Sequence, residues 1–441
     1  MEAPVVCYPP IEGLATSEDL AVEVNGQSVW VERYTSTMDL AALPRWFTSE
    51  PYTSAPQVVN IVNFACDGPL RVTMTAAEPV ESVAVHPAGR GIRPAVDGRR
   101  VRFTLPGPDK LYITINDLPA VCFFANAVEA APPRADDPGV LYFAPGVHRP
   151  GPLTLQDGQT VYLAPGAIVY GCLRGGPKNA RVLGHGILDG QYEHRLVRLD
   201  DAADVTIKGV ILRNGRSWQN TITGCRDVTY RDVKVISFGN SGDGINPVGS
   251  SNVTIDNCFL RCTDDCVAIK SMRPGQNVQG IRVLNSTMIG YAFADGITIG
   301  FETHGPEMKD ILVRNCDIVL SRGGNAVGRH SAFSIIADGP GWIRDVRFEN
   351  LRVQADVDRL FELHVTDGTA YVKAGPGHIQ GVHLKDIAWT APKPIILAGL
   401  NEDHLVEDVV FENCTVAGRP LRSADAEIVT INPHVRNVAF R

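Results

Sequence analysis

Three aspartates in two short clusters are the residues of this sequence best suited to chemistry. Asn240-Ser241-Gly242-Asp243-Gly244 carries one of them, and Thr263-Asp264-Asp265-Cys266 carries two. Between the clusters runs Asn252-Val253-Thr254-Ile255-Asp256-Asn257-Cys258, which reads as one rung of a stacked β-structure. The clusters are therefore expected one coil apart and facing each other. Neighbouring strands lie only about 4.8 Å apart. Carboxylates at that range raise each other's pKa, so one stays protonated near neutrality while its neighbours ionise. A protonated acid for the leaving oxygen and one or two ionised bases for water are what cleavage of a glycosidic bond requires. The plainer alternative is that Asp-Gly and Asp-Asp are solvated turn residues. A column of carboxylates with no basic residue among its members costs stability through repulsion, and that cost argues for function.

The elements that must position these acids form a repeat. Short runs open at Asp204, Asp227, Asn252, Gly280, Asp310, Asp345, Gly381, Asp408 and Asn437, and in each the second and fourth residues are apolar. Asn179 and Thr160 extend the series backwards. The intervals, about 23 to 36 residues with no helical pattern between them, predict a β-solenoid in which each coil buries its inward side chains against its neighbours. Five positions after a start come Asn257, Asn285, Asn315, Asn350 and Asn413, an asparagine ladder suited to a tight turn. Six positions after come Cys258, Cys316 and Cys414, read as interior packing because other coils place Val210, Val233 and Leu351 there. The same register aligns Asp243, Asp265 and Asp295, each followed two residues later by Ile245, Val267 or Ile297. It predicts a column of three carboxylates on the outer face of adjacent coils, with Asp264 alongside. Cys262 and Cys266 flank the acids, but no His stands at ligand spacing, so no zinc site and no other metal or cofactor is expected.

Ahead of the repeat, residues 1–130 alternate apolar and polar residues in short runs such as Leu70-Arg71-Val72-Thr73-Met74 and Val101-Arg102-Phe103-Thr104-Leu105. They predict an antiparallel β-sandwich. A Pro-, Ala- and Asp-rich joint then leads into a solenoid domain over 138–441. The fold class is all-β. The formal charge of −8 across 441 residues argues against nucleic acid as a partner. It gives no encouragement for a strongly anionic polymer either, although a local basic cleft could lie within it. No apolar run reaches about 18 residues, so no membrane span is expected. The N-terminus lacks a basic and apolar leader pattern, which points to the cytoplasm, or to secretion if a leader has been removed. The ten cysteines are expected to be free thiols.

The two acidic clusters, Asn240 to Pro247 and Thr263 to Ser271, resemble the polygalacturonase family of glycoside hydrolases, whose marks are Asn-Thr-Asp-Gly followed by Gly-Asp-Asp. Leu183-Gly184-His185-Gly186-Ile187-Leu188-Asp189-Gly190 is similar to that family's Gly-x-Gly-x-Leu-Asp-Gly strand. The resemblance covers roughly residues 140 to 330. It implies a right-handed parallel β-helix, Asp264 as general acid, Asp243 and Asp265 as activators of water, and inversion at the anomeric carbon. Two departures bear on the substrate. The family's Gly-His-Gly falls at Ala294-Asp295-Gly296. Its Arg-x-Lys, which holds a uronate carboxylate, is expected where this chain reads Arg329-His330-Ser331-Ala332-Phe333-Ser334-Ile335-Ile336. A neutral sugar is therefore expected rather than galacturonan. The N-terminal sandwich is similar to that of the dextranase and isopullulanase family, which acts on neutral α-glucans.

Around the acids, Asp295, Lys270, Trp218, Asn246, Glu302, His304 and His330 are candidate substrate-binding residues. Trp218 lies about one coil before Asp243 and could stack on a sugar ring or merely pack. Lys270 reads equally as a solvated lysine, and His185 as a coil-turn residue. The expected partner is a poly- or oligosaccharide, with a homo-oligomer possible. The rivals are a pectin hydrolase, a transglycosylase or lyase on the same scaffold, and a non-catalytic carbohydrate-binding solenoid.

Overall fold

The computed structural model describes residues 4–37, 57–193, 195–291, 294–321, 331–354, 357–369, 371–422 and 427–441. Among them the chain is almost wholly β. Its one described helical turn is a 3-10 turn at Ala88–Arg90, and no helix is long and apolar enough to cross a membrane.

The N-terminal strands make two packed sheets. One is antiparallel and five-stranded, centred on Leu70–Ala76 between Leu20–Val24 and Arg100–Leu105. The other has six strands with Val58–Cys66 near its middle, and it departs from the expected antiparallel pattern in one pair. Val121–Ala127 runs parallel to Val58–Cys66, since the chain crosses the domain before returning beside it. Both strands are buried on both faces. Val62, Phe64 and Phe123 face the sandwich core, while Ile61, Cys122 and Phe124 pack on the solenoid. Their near-continuous apolar character follows from that double burial.

The solenoid is a right-handed parallel β-helix with three faces. The first is a twelve-stranded parallel sheet from Val140–Phe143 to Val435–Phe440. Its pairing places Val205, Val228, Val253, Ile281, Ile311, Val346, Val382, Val409 and Val438 in one file, the register read from the repeat. The earliest coil differs: Val161 pairs with Val182, two residues from the alignment expected for Thr160. The start positions are restricted to Asp, Asn and Gly because each is left-handed, with φ from 51° to 58° at the acids and amides. The turn after this sheet is left-handed too. There the amides bond from coil to coil: Asn285 donates to Asp256 at 2.8 Å and Asn315 to Asn285 at 2.7 Å. Cys258, Cys316 and Cys414 are buried beneath this ladder, and all ten cysteines are free.

The second face, which includes Ile187–Asp189, Ile211–Arg213, Lys234–Ile236 and Phe259–Cys262, receives the sandwich. A buried ion cluster pins this seam: Arg213 Nε donates to Asp189 at 2.7 Å and its Nη1 to Glu32 at 2.8 Å. His185, expected as a turn residue, also belongs to the seam. Its Nδ1 meets the Tyr8 hydroxyl at 2.8 Å, and burial pushes its pKa down to about 3. The third face runs through Val197–Asp200, Asn220–Thr223, Ile245–Val248, Val267–Ser271, Ile297–Thr303 and Ser331–Ala337, and no sheet of the sandwich packs on it among the described residues.

Candidate active site

The acidic clusters occupy the corner where the chain turns from the second face onto the third. Asp243 stands just before Ile245–Val248, Asp264 and Asp265 before Val267–Ser271, and Asp295 before Ile297–Thr303. Ile245 pairs with Val267 and Val267 with Ile297, which carries Asp243, Asp265 and Asp295 into one file. Backbone bonds continue that file: Gly244 N–H donates to Asp265 O at 2.8 Å, and Cys266 N–H to Asp295 O at 3.0 Å. The glycines beside Asp243 are required by closeness. A Cβ at Gly242 would sit 2.3 Å from Thr263 Oγ1, and one at Gly244 would sit 2.4 Å from the Cys266 carbonyl oxygen. Ser237 Oγ ties the two loops together, donating to Gly242 O and accepting from Thr263 N–H.

Oxygens of Asp243, Asp264 and Asp265 lie within 4.8 Å of one another. Asp243 and Asp265 are buried, and Asp264 is the partly exposed member. Burial pushes the Asp243 carboxyl up to about 8, the neighbouring Asp265 and Glu302 add to the shift, and Lys270 and a 2.7 Å bond from Asn246 Nδ2 oppose it. Asp265 Oδ1 accepts the Asp295 backbone N–H at 2.9 Å. Asp264 Oδ1 accepts from Asp265 N–H at 3.0 Å. Burial thus favours the protonated form of Asp243, whereas the resemblance gives the acid's role to Asp264.

The premise of an acid column without a base needs correction. Lys270, buried on the outward side of its strand, contributes positive charge to the group. Its Nζ lies 2.7 Å from Glu302, and the fields of Glu302, Asp243 and Asp265 hold its pKa well above the ordinary lysine range. Three carboxylates so close could also grip a cation, but Lys270 already provides positive charge at that place.

The other candidates separate by position. Asn220 pairs with Ile245, so Trp218 falls in file with Asp243, one coil earlier. Its ring lies between two cations, with Arg195 Cζ at 5.0 Å and Lys270 Nζ at 5.2 Å from the centroid. Asp295 is buried. Its carboxylate accepts Ser331 N–H at 3.0 Å and the Ser334 hydroxyl, so it braces the next coil as well as Asp265. Glu302 is turned inward to Lys270. His304 is joined to Ser271 through its backbone N–H at 2.7 Å. His330 lies outside the described residues.

Two residues near the trio were not anticipated. Arg195 stands one coil beyond Trp218 and feels the charge of Asp243; carrying the register one coil further back would have found it. Tyr371 is 57% exposed, rests on Phe301 at 6.0 Å between ring centroids, and is affected by the charges of Asp264 and Glu302. It comes from an irregular segment, where no repeat could signal it. The floor between these groups is polar. Thr221 and Asn246 point outward from neighbouring strands and Thr298 from the strand two further on, past Ala268, and Thr221 Oγ1, Asn246 Oδ1 and Thr298 Oγ1 are buried without a hydrogen-bond partner. Such a floor matches a ligand rich in hydroxyls.

Comparison with known proteins bears on the family and the fold. Residues 172–391 match the model of the glycosyl hydrolases family 28. A probable polygalacturonase of Vitis vinifera is 33% identical over 244 residues, covering 51% of this chain and 42% of that protein. The chain spans about half the length of the curated relatives it matches. Among solved structures, Dex49A from Penicillium minioluteum superposes with a TM-score of 0.63 at 14% identity, covering 98% of this chain and 96% of that one. A GH87 alpha-1,3-glucanase of Streptomyces thermodiastaticus gives 0.53 at 16% identity, covering 99% and 87%. At these identities the structures show a shared fold, and their coverage includes the sandwich as well as the β-helix.

Proposed function

Taking as premise that this chain is polygalacturonase-like, with a family 28 β-helix, we propose that it is an inverting glycoside hydrolase acting on a poly- or oligosaccharide. The observation that carries the reading is the trio of Asp243, Asp264 and Asp265, its oxygens within 4.8 Å and one of its members held protonated by burial. Asp264, open to the cleft, gives its proton to the leaving oxygen as the glycosidic bond breaks. A water held between Asp265 and Asp243 attacks the anomeric carbon from the opposite side and yields its proton to that pair. In the free protein burial places the shared proton on Asp243. A sugar that covers Asp264 takes that carboxyl out of water too, which draws the proton toward it.

The reacting ring is proposed to be neutral, as in an α-glucan. Asp295 stands where a histidine is expected, Glu302 adds another carboxylate, and Lys270 is engaged by Glu302. A uronate carboxylate would meet more repulsion than attraction here. Turnover of a pectin and not of neutral glycans would favour the polygalacturonase alternative.

One observation favours a second reading, a retaining mechanism with transglycosylation. The close approach of the acids is nearer the roughly 5–5.5 Å typical of retaining pairs than the roughly 6.5–9.5 Å of inverting ones. The third carboxylate tips the choice to inversion, because two bases can share a water where one could not. Proton NMR of the first product anomer decides between them, on α-glucans, other neutral glycans and pectins in parallel. Asp264→Asn with turnover unchanged on the cleaved glycan would overturn the hydrolase reading in favour of a binding solenoid. The ten free cysteines suit a reducing compartment, so we place the protein in the cytoplasm; cell fractionation checks this.

A further inference from the structure

The cleft continues past Trp218, toward the N-terminal coils, and its character changes there. Among the described residues, Arg174, Arg195, Arg198 and Arg216 line an open space of about 510 Å³ together with two carboxylates, Glu193 and Asp200. On a chain of formal charge −8 this is a local concentration of positive charge and no general property of the surface. The register shows how it joins the reacting centre. Arg174 pairs with Arg198, Arg198 with Thr221, and Thr221 with Asn246, whose amide donates to Asp243. One outward row thus leads from two arginines, over two polar groups with unpartnered atoms, to the catalytic acids. With strands about 4.8 Å apart, the arginines lie about 10 to 14 Å from the Asn246 coil.

Asp200 lies 3.1 Å from Arg198, but both partners are about half exposed and such a pair contributes little, so it leaves Arg198 available to a ligand. Arg195 lies over Trp218, its guanidinium facing the ring, between this cleft and Asp243. Guanidinium groups present paired donors that match a carboxylate or a sulfate, and several in one cleft reinforce one another. We infer that this cleft is an anion-binding subsite, in which Arg174 and Arg198, flanked by Arg195 and Arg216, hold the carboxylate or sulfate of an acidic sugar a few units from the reacting bond. The inference rests on the glycan-cleft reading above and deepens it. The substrate is then a mixed glycan, neutral where it is cut and anionic toward the N-terminal coils.

The test is made on full-length Asp264→Asn protein, so that binding is read without turnover. Calorimetric titrations use oligogalacturonate, sulfated dextran oligosaccharides and neutral dextran oligosaccharides of matched length. At least one anionic probe is expected to bind more tightly than the neutral one, and to weaken as salt is raised. Which of the two binds distinguishes a carboxylate from a sulfate. Adding Arg174→Gln and Arg198→Gln is expected to reduce the preference for the anionic probe at least about tenfold. Both arginines are exposed, so an unchanged melting temperature serves as the folding control. Replacing both by lysine should restore the salt-dependent part of the preference. Equal affinity for neutral and anionic probes, or a preference unmoved by the double glutamine variant, overturns the subsite. Turnover of the unmodified protein is read separately: anionic binding with no cleavage of any glycan would sink the hydrolase reading and leave the subsite standing.

Discussion

Two buried charge clusters sit on the same β-helix and are built on opposite plans. At the seam, Arg213 is fully buried between Asp189 and Glu32, with the Tyr34 ring 3.8 Å from its guanidinium carbon. Its donors bond directly to both carboxylates, and those bonds offset the cost of burial. At the corner of the third face, Asp243, Asp264 and Asp265 crowd together with Glu302 near, and Lys270 brings a positive charge to the group. The backbone holds them close, through the file of coils and the Ser237 tie, and burial answers by keeping a proton. A cluster made for cohesion pairs its charges. The cluster at the corner, proposed to transfer protons, instead brings carboxyls close to one another on the stacked backbone.

The contrast predicts opposite responses to mutation. The largest effect is expected at the trio: Asp264→Asn or Asp265→Asn should lower turnover about 10²- to 10⁴-fold. The melting temperature should hold or rise, because repulsion is relieved. A clear loss of stability would place these acids in the structural class. At the seam, Arg213→Met strands two buried carboxylates and should cost about 3–5 kcal/mol in denaturant unfolding. Turnover per folded molecule should survive it.

The pH response sharpens the same difference. Folding raises Asp243 from an ordinary value near 3.8 to about 8. The native state therefore binds a proton that the unfolded chain has released, and stability attributable to Asp243 is lost as pH rises from about 4 through about 8. Asp243→Asn should flatten that decline in a melting-temperature series, and an unchanged slope would remove the proton from this residue. Lys270→Met takes away positive charge near the acids, so the ionisations that govern the pH–rate profile should move upward. The smallest effect belongs to the scaffold. Asn315→Gly keeps the left-handed turn and removes its side-chain bonds to Asn285, Asn350 and Arg352, for a loss of about 1–3 kcal/mol and no change in kinetics.

Much of this molecule follows from its sequence alone. The file from Val205 to Val438, the asparagine turns, the buried cysteines and the alignment of Asp243 with Asp265 and Asp295 were all legible. In a solenoid, contacts in space are repeats in sequence, so register converts numbering into adjacency. What lay outside the repeat was not legible. The parallel pair of Val58–Cys66 and Val121–Ala127, the tie from Glu32 to Arg213 and the docking of Tyr8 on His185 join segments with no common period. The charge balance of the site was hidden for a related reason. Lys270 and Glu302 come from the third face and its following bend, and their turn toward the acids depends on side-chain direction and burial. The repeat determined that three carboxylates would stand together. Only the tertiary structure decided how deeply they are buried, that burial raises the Asp243 carboxyl, and that arginines wait further along the same cleft, because pKa and cleft shape depend on everything packed around a group and not on its place in the chain.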